Sequence, residues 1–562
     1  MTAGTTRVVP FGDRALLVRT EGMAAAHALA AAIEGQPDDP LPGPLAEVVV
    51  GFRCVLVVLG PDADGDDLDR YTSWLEQLAQ SDAGRLRGPG AGVTHILPVV
   101  FDGADLEDVA TMVGLPSERV VELVTAAPLD VALVGFAPGF PYLTGLPPEL
   151  VALPRRDTPR TSVPAGSIAV AGGFAAIYPR ATPGGWHLLG RTTESLFDPD
   201  RPPYSRVGPG DRVRFVIADP GTAPLAPVSV VTDRPLLVAD EGPYLEVLTP
   251  GLLDLVQDGG RDRVAALGVP RAGAADPLAL ALVNLLLGND AAAAAIECTA
   301  SGPDLRVVGG GHLAVVGVGA ESVDVMVDGR SVPDAAVIPV QDGQVVSVGR
   351  VRRGLRAYVG VDGGLEIAEL FGSRSSDVLS GLGPGALRTG DRLARGRAGR
   401  VRGRLDHPGT ATPGGPVVLR VLPGPHVIGD DGSPDRLFDR LTAVRWSVGP
   451  DVDRVGVRLA AIDGNGPTGS TPVDSTPMIT GALQLPPDGR PILLLPDHAT
   501  TGGYPVVACV ITADLPILGR ITPGDEVALE AVDTSTATAE LVRAHRVMTS
   551  SVSGWFPTEV GT

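Results

Sequence analysis

The sequence predicts a β-rich α+β protein with two related β-barrel domains, each accompanied by a smaller α/β domain. Three observations support this fold class. The 562 residues exceed what one hydrophobic core can organise, so several domains are expected. The 73 glycines and 53 prolines indicate many turns and short strands. An ordered set of motifs occurs twice, once in each half of the chain.

Changes of pattern divide the chain into six segments. The Pro-rich stretch ADPGTAPLAPVSVVTDRPLL, which ends at Leu237, is the best candidate for a linker. The predicted segments are a small α/β domain at 1–88, a β-barrel at 89–217, a linker at 218–243, an α/β domain at 244–400, a second β-barrel at 401–533 and a tail at 534–562.

Local patterns predict individual elements in chain order. In the first domain these are a strand at 15–19, a helix at 23–34, a strand at 48–59 and a helix at 68–80. Helices at 106–113 and 117–125 interrupt the strands of the first barrel segment. In the second half, Asp276 is expected to cap a helix that has Pro277 at its first position and ends at Gly288. Strands then dominate to about residue 532, and the tail is predicted to be partly helical at most.

The repeat decides the architecture. Its first copy is VPAGSIAVAG at 163–172, TPGGWHLLGR at 182–191 and GPGDRVRF at 208–215. Its second copy is LPPDGRPILLLPD at 485–497, TTGGYPVVACV at 500–510 and TPGDEVAL at 522–529. Both copies run from a Pro-containing turn through a buried strand, a Gly-Gly-aromatic turn and a strand to a Gly-Asp turn. Two related barrels, one in each half, follow from this order.

Composition excludes several classes of function. With 45 basic and 66 acidic residues the net charge is −21, which argues against nucleic acid or an anionic membrane as a partner. Every basic residue is arginine, so a Walker-type phosphate loop, a Schiff-base enzyme and a biotinylated domain are all excluded. The three dispersed cysteines suggest neither a disulfide framework nor a zinc site. No apolar stretch is long enough to span a bilayer, and we expect a cytoplasmic protein.

The stretch PILLLPDHATTGGYPV marks a candidate site. Asp497 ends a buried strand, and the Gly502-Gly503 turn that follows would let a ligand reach backbone N–H groups. The alternative is a plain turn in which Asp497 accepts backbone hydrogen bonds and the glycines supply positive φ. Trp186 and Arg191 flank the double glycine of the first copy, which favours a site.

Longer motifs resemble one protein family. GFAPGFPYLTGLP, TPRTSVPAGSIAVAGG and IYPRATPGGWHLLGRT resemble allophanate hydrolase subunit 1, also described as the B subunit of 5-oxoprolinase or the Kip-type kinase inhibitor family. VLTPGLLDLVQDGGRD, GVPRAGAADPLALALVNLLLGND, LFGSRSSDVL and GRPILLLPDHATTGGYP resemble allophanate hydrolase subunit 2, or the C subunit of 5-oxoprolinase. The resemblance covers about 7–217 and 245–532, so the chain looks like the two subunits fused in the order B then C.

The resemblance implies cyclophilin-like barrels and one of two activities. In the first, the B and C subunits join a separate A subunit of the lactam-utilisation type and hydrolyse 5-oxoproline to glutamate with ATP, for which Mg is expected. In the second, the pair is a carboxyltransferase for urea or a short amide, with biotin supplied in trans. A non-catalytic kinase-inhibitor-like regulator is a further alternative. A homo-oligomer is compatible with all three.

The matched motifs also suggest site residues. Asp497 is the first choice for a catalytic carboxylate, and Asp258 is the second. The candidates for binding substrate or nucleotide are Arg160, Gly184, Gly185, Trp186, Arg191, Gln257, Arg261, Arg374, Thr500, Thr501, Gly502, Gly503 and Tyr504. The arginines and glycine-turn amides are expected to hold carboxylate or phosphate groups. His498 is interpreted as a solvated turn histidine, and no metal site is expected.

The chain departs from the family at a few positions. Relatives usually carry a histidine at Val124 or Thr125, a Gln-Thr pair at Phe174-Ala175 and often a basic residue at Val506. These losses remove polarity from the first-half pocket that the resemblance implies.

Overall fold

The computed structural model describes residues 7–35, 41–60, 63, 65–81, 92–219, 242–397, 401, 415–429, 434–467 and 470–553. The predicted linker and the segment boundaries near residues 88 and 400 lie largely outside these ranges. Within the described ranges, no helix combines the length and apolar character needed to cross a membrane.

The first domain is a four-stranded antiparallel sheet with two helices. Its elements are β1 Arg7–Pro10, β2 Ala15–Arg19, α1 Met23–Glu34, β3 Leu45–Gly51, β4 Cys54–Leu59 and α2 Gly65–Gln80, in the sheet order β1-β2-β4-β3. The predicted strand at 48–59 is therefore two strands. They are joined at Phe52-Arg53, where Arg53 has φ +58°. Apolar residues on both sides of this tight turn conceal it in the sequence.

The second domain is a closed seven-stranded barrel. Its elements are β5 Thr94–Val100, α3 Leu106–Val113, α4 Ser117–Ala126, β6 Leu129–Val134, β7 Pro141–Thr144, α5 Pro148–Val151, β8 Arg160–Val163, β9 Ser167–Ala171, β10 Phe174–Ile177, β11 Thr182–Gly184, β12 His187–Thr192 and β13 Arg212–Ile217. The barrel order is β10-β7-β6-β13-β5-β12-β9, and β8 and β11 form a separate two-stranded sheet. The barrel and the α3 and α4 helices confirm the prediction for this segment.

The third domain has more strand than the α/β description indicates. Its elements are β14 Tyr244–Thr249, β15 Leu253–Gln257, α6 Pro277–Leu286, β16 Ala295–Thr299, β17 Asp304–Val308, β18 Gly311–Val316, β19 Val323–Val327, β20 Arg330–Val332, β21 Val337–Val340, β22 Val345–Val351, β23 Arg356–Val361 and β24 Arg392–Ala394. A six-stranded and a five-stranded sheet share one core, and α6 packs on the outside of the five-stranded sheet. As predicted, the Asp276 carboxylate caps α6 by accepting from Ala279 N.

The fourth domain is a second closed seven-stranded barrel. Its elements are β25 Val417–Pro423, α7 Arg436–Thr442, β26 Arg445–Val452, β27 Gly456–Ala461, β28 Thr476–Pro477, β29 Ala482–Gln484, β30 Ile492–Leu494, β31 Thr501–Gly502, β32 Val506–Val510, α8 Leu515–Leu518 and β33 Glu526–Ala531. The tail contains α9, Thr534–Ser553, which is more helix than the sequence predicts.

The two barrels have the same topology. The order β25-β32-β29-β30-β27-β26-β33 repeats the first barrel when β29 is equated with β9 and β30 with β10. In each barrel the first and last strands pair in parallel, and a small extra sheet precedes the Gly-Gly turn. The sequence repeat aligned β9 with β30, which is wrong by one strand. The tight Gly172-Gly173 hairpin hides the boundary between β9 and β10.

The halves are interleaved. Val9, Phe11 and Leu56 of the first domain share an apolar core with Met478 and Cys509 of the second barrel. The two barrels also touch directly, because Gly135 of the first lies against Thr501 of the second. These contacts enclose a space between the barrels.

Candidate functional site

A cavity of about 700 Å³ lies between the two barrels. Equivalent segments of each barrel line it: 154–159, 171–174 and Trp186 in the first, and 472–475, 486–488 and Tyr504 in the second. The equivalence is visible in the backbone. Arg156 N donates to Gly185 O at 2.8 Å, and Val473 N donates to Gly503 O at 3.0 Å.

Aromatic rings form the first-barrel wall of this cavity. Trp186 is 7% exposed and packs edge-on against Phe140 and Tyr142, while Phe174 packs edge-on against Tyr142. Tyr504 lies on the opposite wall and is partly exposed. Such rings provide an apolar surface for a small flat ligand.

A hydrogen bond joins the barrels beneath the aromatic wall. The Tyr142 hydroxyl and the Thr501 Oγ1 are 3.1 Å apart, and both residues are buried. Burial raises the pKa of Tyr142, so this phenol stays protonated at neutral pH. Thr501 is a residue that the sequence predicts for the site, and it holds the second barrel's turn against the first barrel.

Charged side chains surround the opening. Arg155, Arg156 and Arg458 line the cavity with Asp157, Asp474 and Asp488. Some of these charges are already paired. Arg156 Nη1 binds Asp105 Oδ1 at 2.6 Å, and Arg53 forms an ion pair with Asp474. Arg155 and Arg458 have no hydrogen-bond or ion-pair partner in the part of the chain that the structure describes.

Asp497 does not have the surroundings of a catalytic acid. It is 0% exposed and does not line the cavity. Arg454 holds both of its oxygens, with Nε at 2.9 Å and Nη2 at 2.8 Å, and Val378 N donates to it at 2.9 Å. Arg454 also binds Glu297, so Asp497 belongs to a buried charge network at the junction of the second barrel with the third domain.

Asp258 is also committed to structure. Its carboxylate accepts from the Ser373 and Ser375 hydroxyls at 2.6 Å and 2.5 Å, from Arg374 N at 2.6 Å and from Gly260 N at 2.9 Å. It lines a separate cavity of about 290 Å³ beside α6. Four hydrogen bonds leave little capacity for proton transfer, and we interpret Asp258 as the residue that orders the 373–375 loop.

Three further predicted residues gather around the same loop. Gln257 Nε2 donates to Ser376 O at 2.9 Å, and Arg261 donates to the carbonyls of Leu370 and Ser375. The Arg374 guanidinium binds Glu369 at 2.7 Å. The structure brings Gln257, Asp258, Arg261 and Arg374 together, away from the cavity between the barrels.

The junction beside this loop is buried and polar. Arg180 of the first barrel and Arg261 interact electrostatically with Asp377. Burial and the nearby Asp497 raise the pKa of Asp377. Within the described ranges, Arg180 Nη1, Arg261 Nη1 and Asp377 Oδ2 are buried without a hydrogen-bond partner.

Two predicted arginines are engaged elsewhere on the first barrel. Arg160 Nη2 binds Asp105 Oδ1 at 2.6 Å, beside the contact that Arg156 makes. Arg191 Nε binds Asp102 Oδ2 at 3.0 Å on the barrel surface. Neither lines the cavity.

The four predicted glycines have different surroundings. A Cβ on Gly184 would overlap the Tyr178 hydroxyl, and a Cβ on Gly502 would lie 2.5 Å from Gln484 Nε2, both within the same barrel. A Cβ on Gly503 would lie 2.5 Å from Arg155 Nη2, in the other barrel. Gly185 has no atom closer than 3.7 Å. Thr500 is buried, and its Oγ1 has no partner within the described ranges.

Sequence reasoning missed Arg155, Arg156 and Arg458. The run LPRRDTPR, which places three arginines within six residues and overlaps the start of a matched motif, is the signal that could have shown the first two. Arg458 lies alone on β27 and has no such signal. Its place at the cavity depends on the pairing of the two barrels.

The departures from the family have different surroundings. Phe174 lines the cavity, so the apolar residue at this position, where relatives carry a polar one, makes the site less polar. Val124 is buried in the first-barrel core, and Val506 is buried in the core shared with the first domain. His498 is buried rather than solvated, and burial lowers its pKa. That interpretation of the sequence was wrong.

The cysteines and the acids of the described ranges bear on whether a metal is bound. All three cysteines are buried and free of disulfides, as the sequence predicts. Among the described residues, no three His, Cys, Asp or Glu side chains are arranged to hold a metal ion.

Comparison with known proteins relates both halves to one family. Two descriptions of the carboxyltransferase domain match: subdomains C and D at 6–207, and subdomains A and B at 267–531. The 5-oxoprolinase B subunit of Escherichia coli O157:H7 is 41% identical over 177 residues, 31% of this chain and 78% of that protein. The 5-oxoprolinase C subunit of Escherichia coli K12 is 32% identical over 286 residues, 50% of this chain and 89% of that protein.

A solved structure extends the likeness to almost the whole chain. The crystal structure of TTHA0988 is 34% identical and superposes with a TM-score of 0.76, covering 92% of this chain and 99% of that one. The two barrels, their order along the chain and the relatives matched by each half all indicate the same family. The chain therefore belongs to the carboxyltransferase-domain family and is a fusion of a part similar to the B subunit of 5-oxoprolinase with a part similar to its C subunit.

Proposed function

We propose that the chain is the B and C part of an ATP-dependent 5-oxoprolinase, which hydrolyses 5-oxo-L-proline to L-glutamate together with a separate A subunit. The observation that supports this most is the position of the cavity, which lies between a barrel of the B-like half and a barrel of the C-like half. Substrate bound there would touch both parts at once.

The cavity suits a small cyclic amide. Trp186, Phe174 and Tyr504 offer faces on which a five-membered lactam packs, and the arginines at the opening provide positive charge. A lactam is a stable amide, so its opening at neutral pH requires activation of the carbonyl and an acid–base pair for water. We assign binding and orientation of the lactam to this chain.

The four arginines that the sequence predicts for phosphate binding are all engaged within the described ranges. Three of the four arginines that the sequence predicts for this role, Arg160, Arg191 and Arg374, already bind carboxylates. The fourth, Arg261, is 1% exposed and donates to backbone carbonyls. ATP with Mg is therefore expected at the assembled enzyme, and no step is assigned to a nucleotide site in this chain.

The test is release of glutamate from 5-oxoproline and ATP, measured with this chain alone, with the A-type subunit alone and with both. We expect glutamate only with both proteins. Tyr504→Ala should lower kcat/KM about tenfold because it removes one wall of the cavity. Tyr244→Ala, a partly exposed tyrosine of the third domain, is the matched control and should keep the activity of the parent chain.

The carboxyltransferase family favours a second candidate function, transfer of a carboxyl group from biotin to urea or a short amide. The chain has no lysine to carry biotin, so a biotin carrier must act in trans. Absence of glutamate with both proteins, together with carboxylation of urea from added carboxybiotin, would replace the first proposal with this one. Failure of both reactions would favour the regulator.

A further inference from the structure

Arg155 is an unusual cation in this molecule. It lines the cavity between the barrels and is partly buried, yet it has no hydrogen-bond or ion-pair partner in the ranges that the structure describes. Its neighbours differ, because Arg156 and Arg160 share the carboxylate of Asp105. A guanidinium that faces a cavity and has no anion among the described residues is available to bind one from a ligand.

The second barrel makes room for this guanidinium. Arg155 Nη2, Nη1 and Cζ lie 2.5 Å, 2.7 Å and 2.9 Å from the position that a Cβ on Gly503 would take. Gly503 does not have a positive φ, so space is the reason for glycine here. The equivalent Gly185 of the first barrel has no atom closer than 3.7 Å. The double glycine of the second barrel thus admits a side chain from the other half.

Arg155 lies close to the aromatic wall. Its charge lowers the pKa values of Tyr142 and Tyr178 against the stronger effect of burial, which raises them. Both tyrosines pack with Phe140 beneath Trp186. The backbone equivalence of Arg156 and Val473 makes Pro472 the counterpart of Arg155, so the second barrel has no guanidinium at the equivalent position. A ligand with one negative end and one flat apolar end fits this arrangement.

We propose that Arg155 is the specificity-determining residue of the cavity and binds the carboxylate of a small cyclic amide across the junction of the two halves. The proposal rests on the proposed function for the identity of the amide. A guanidinium can bind a carboxylate with two parallel hydrogen bonds, which fixes the orientation of the ring as well as its position.

A phosphate group is the other oxyanion that a guanidinium binds. The cavity favours a single carboxylate, because Asp157, Asp474 and Asp488 line it with the arginines. Asp474 is paired with Arg53, but Asp157 and Asp488 have no ion-pair partner in the described part of the chain and repel a triphosphate more strongly than a single carboxylate. Binding of nucleotide is therefore an outcome that the experiment must distinguish.

The experiment measures equilibrium binding to the full chain by calorimetry, without ATP or a partner subunit. The ligands are 5-oxoproline, 2-pyrrolidinone, which lacks the carboxylate, ATP and adenosine. Wild type should prefer 5-oxoproline to 2-pyrrolidinone. Arg155→Met should weaken the binding of 5-oxoproline about 10- to 100-fold, because a charge-assisted hydrogen bond is lost, and should leave the binding of 2-pyrrolidinone unchanged. Arg214→Met, an exposed arginine on β13, is the control with the same change of charge.

Gly503→Ala is the second variant, since its new Cβ would displace the guanidinium. It should weaken the binding of 5-oxoproline as Arg155→Met does, whereas Gly185→Ala should leave that binding unchanged. Equal affinity of wild type for 5-oxoproline and 2-pyrrolidinone, or no binding of either, would overturn the proposal. If Arg155→Met weakens the binding of ATP but not of adenosine or 5-oxoproline, the group that Arg155 binds is a phosphate and not a carboxylate.

The absence of lysine provides an independent measure. Arg155→Lys keeps the charge and introduces the chain's single lysine side chain, so acetylation by an amine reagent at position 155 can be followed by mass spectrometry. 5-Oxoproline should slow this acetylation, and 2-pyrrolidinone should not. An unchanged rate would contradict the proposal even if glutamate is released in the coupled assay. Selective binding without turnover would instead contradict the proposed function alone.

Discussion

The two barrels share a strand order but not the chemistry at equivalent positions. The turn after β10 begins Pro179-Arg180, whereas the turn after β30 begins Pro496-Asp497. Arg180 has no partner for its Nη1 within the described ranges, while Arg454 binds both oxygens of Asp497. Features common to the barrels are therefore those that the fold requires. Features that differ depend on what each barrel packs against.

A second equivalent pair shows the same contrast. Asp105 N donates to Leu188 O, and its carboxylate accepts from Leu188 N at 2.8 Å. His426 N donates to Val506 O, and its Nδ1 accepts from Val506 N at 3.0 Å. The fold requires an acceptor at this position, since the amide would otherwise be buried without a partner. An anion meets that need in one barrel and a neutral ring does so in the other.

Arg454→Met should break the second barrel's connection to the third domain and have the largest effect. Arg454 is 1% exposed and binds both Asp497 and Glu297, so its loss leaves Asp497 buried without its cation and leaves Glu297 with Arg356 alone. Removing one partner of a buried pair costs about 3 to 5 kcal/mol. Urea unfolding should show this loss.

Arg212→Met is the matched control on the first barrel. Arg212 binds Asp130 at 2.9 Å with both side chains more than half exposed, so its removal should cost less than about 1 kcal/mol. Similar losses in the two variants would mean that the buried network is not what distinguishes the barrels.

Acid should affect the two barrels differently at the equivalent positions Asp105 and His426. Burial, with the charge of Arg19, lowers the pKa of His426 from 6.5 to about 4. The folded state therefore disfavours the protonated ring, and stability is lost as the pH falls from 6.5 towards 4, by at most about 3 kcal/mol. Burial raises the pKa of Asp105, but hydrogen bonds from Arg160 and Leu188 N lower it below 3.8 overall. Its contribution is present above pH 3.8 and is lost only as the pH falls through the folded value.

Hydrogen exchange of the two amides can measure this difference. Protection of Val506 N–H should fall between pH 6.5 and 4 after correction for intrinsic exchange, while that of Leu188 N–H should persist. His426→Gln keeps an acceptor that does not titrate in this range and should remove the pH dependence at Val506. Parallel loss at both amides would show that the barrels respond to acid as one unit.

The double glycines should respond unequally to a methyl group. Gly184→Ala should destabilise the first barrel by about 1 to 3 kcal/mol, because its Cβ would overlap the hydroxyl of the buried Tyr178 ring. Gly185→Ala has space and should change stability by less than about 0.5 kcal/mol. Equal effects in thermal unfolding would mean that the turn needs both glycines for its backbone.

The sequence predicts features that depend on neighbouring residues. The bounds of α1 and α3 and the Asp276 cap follow from local periodicity and capping, and the repeat reveals the paired barrels. The role of Asp497 depends on Arg454, and the role of Gly503 depends on Arg155 in the other barrel. No local pattern encodes these partners. An acid before a glycine turn therefore has the same sequence signature whether it meets a ligand or a buried arginine.

Apart from the control variants, Tyr142→Phe should have the smallest effect, and it tests how the barrels are joined. The variant removes the hydroxyl that lies 3.1 Å from Thr501 Oγ1 and keeps the ring, so a loss of about 1 kcal/mol is expected. Thr501→Val removes the other partner, and a double-mutant cycle isolates the coupling between them. Coupling near zero would assign the contact between the barrels to apolar packing and would remove this hydrogen bond from the features that position the second barrel's turn at the cavity.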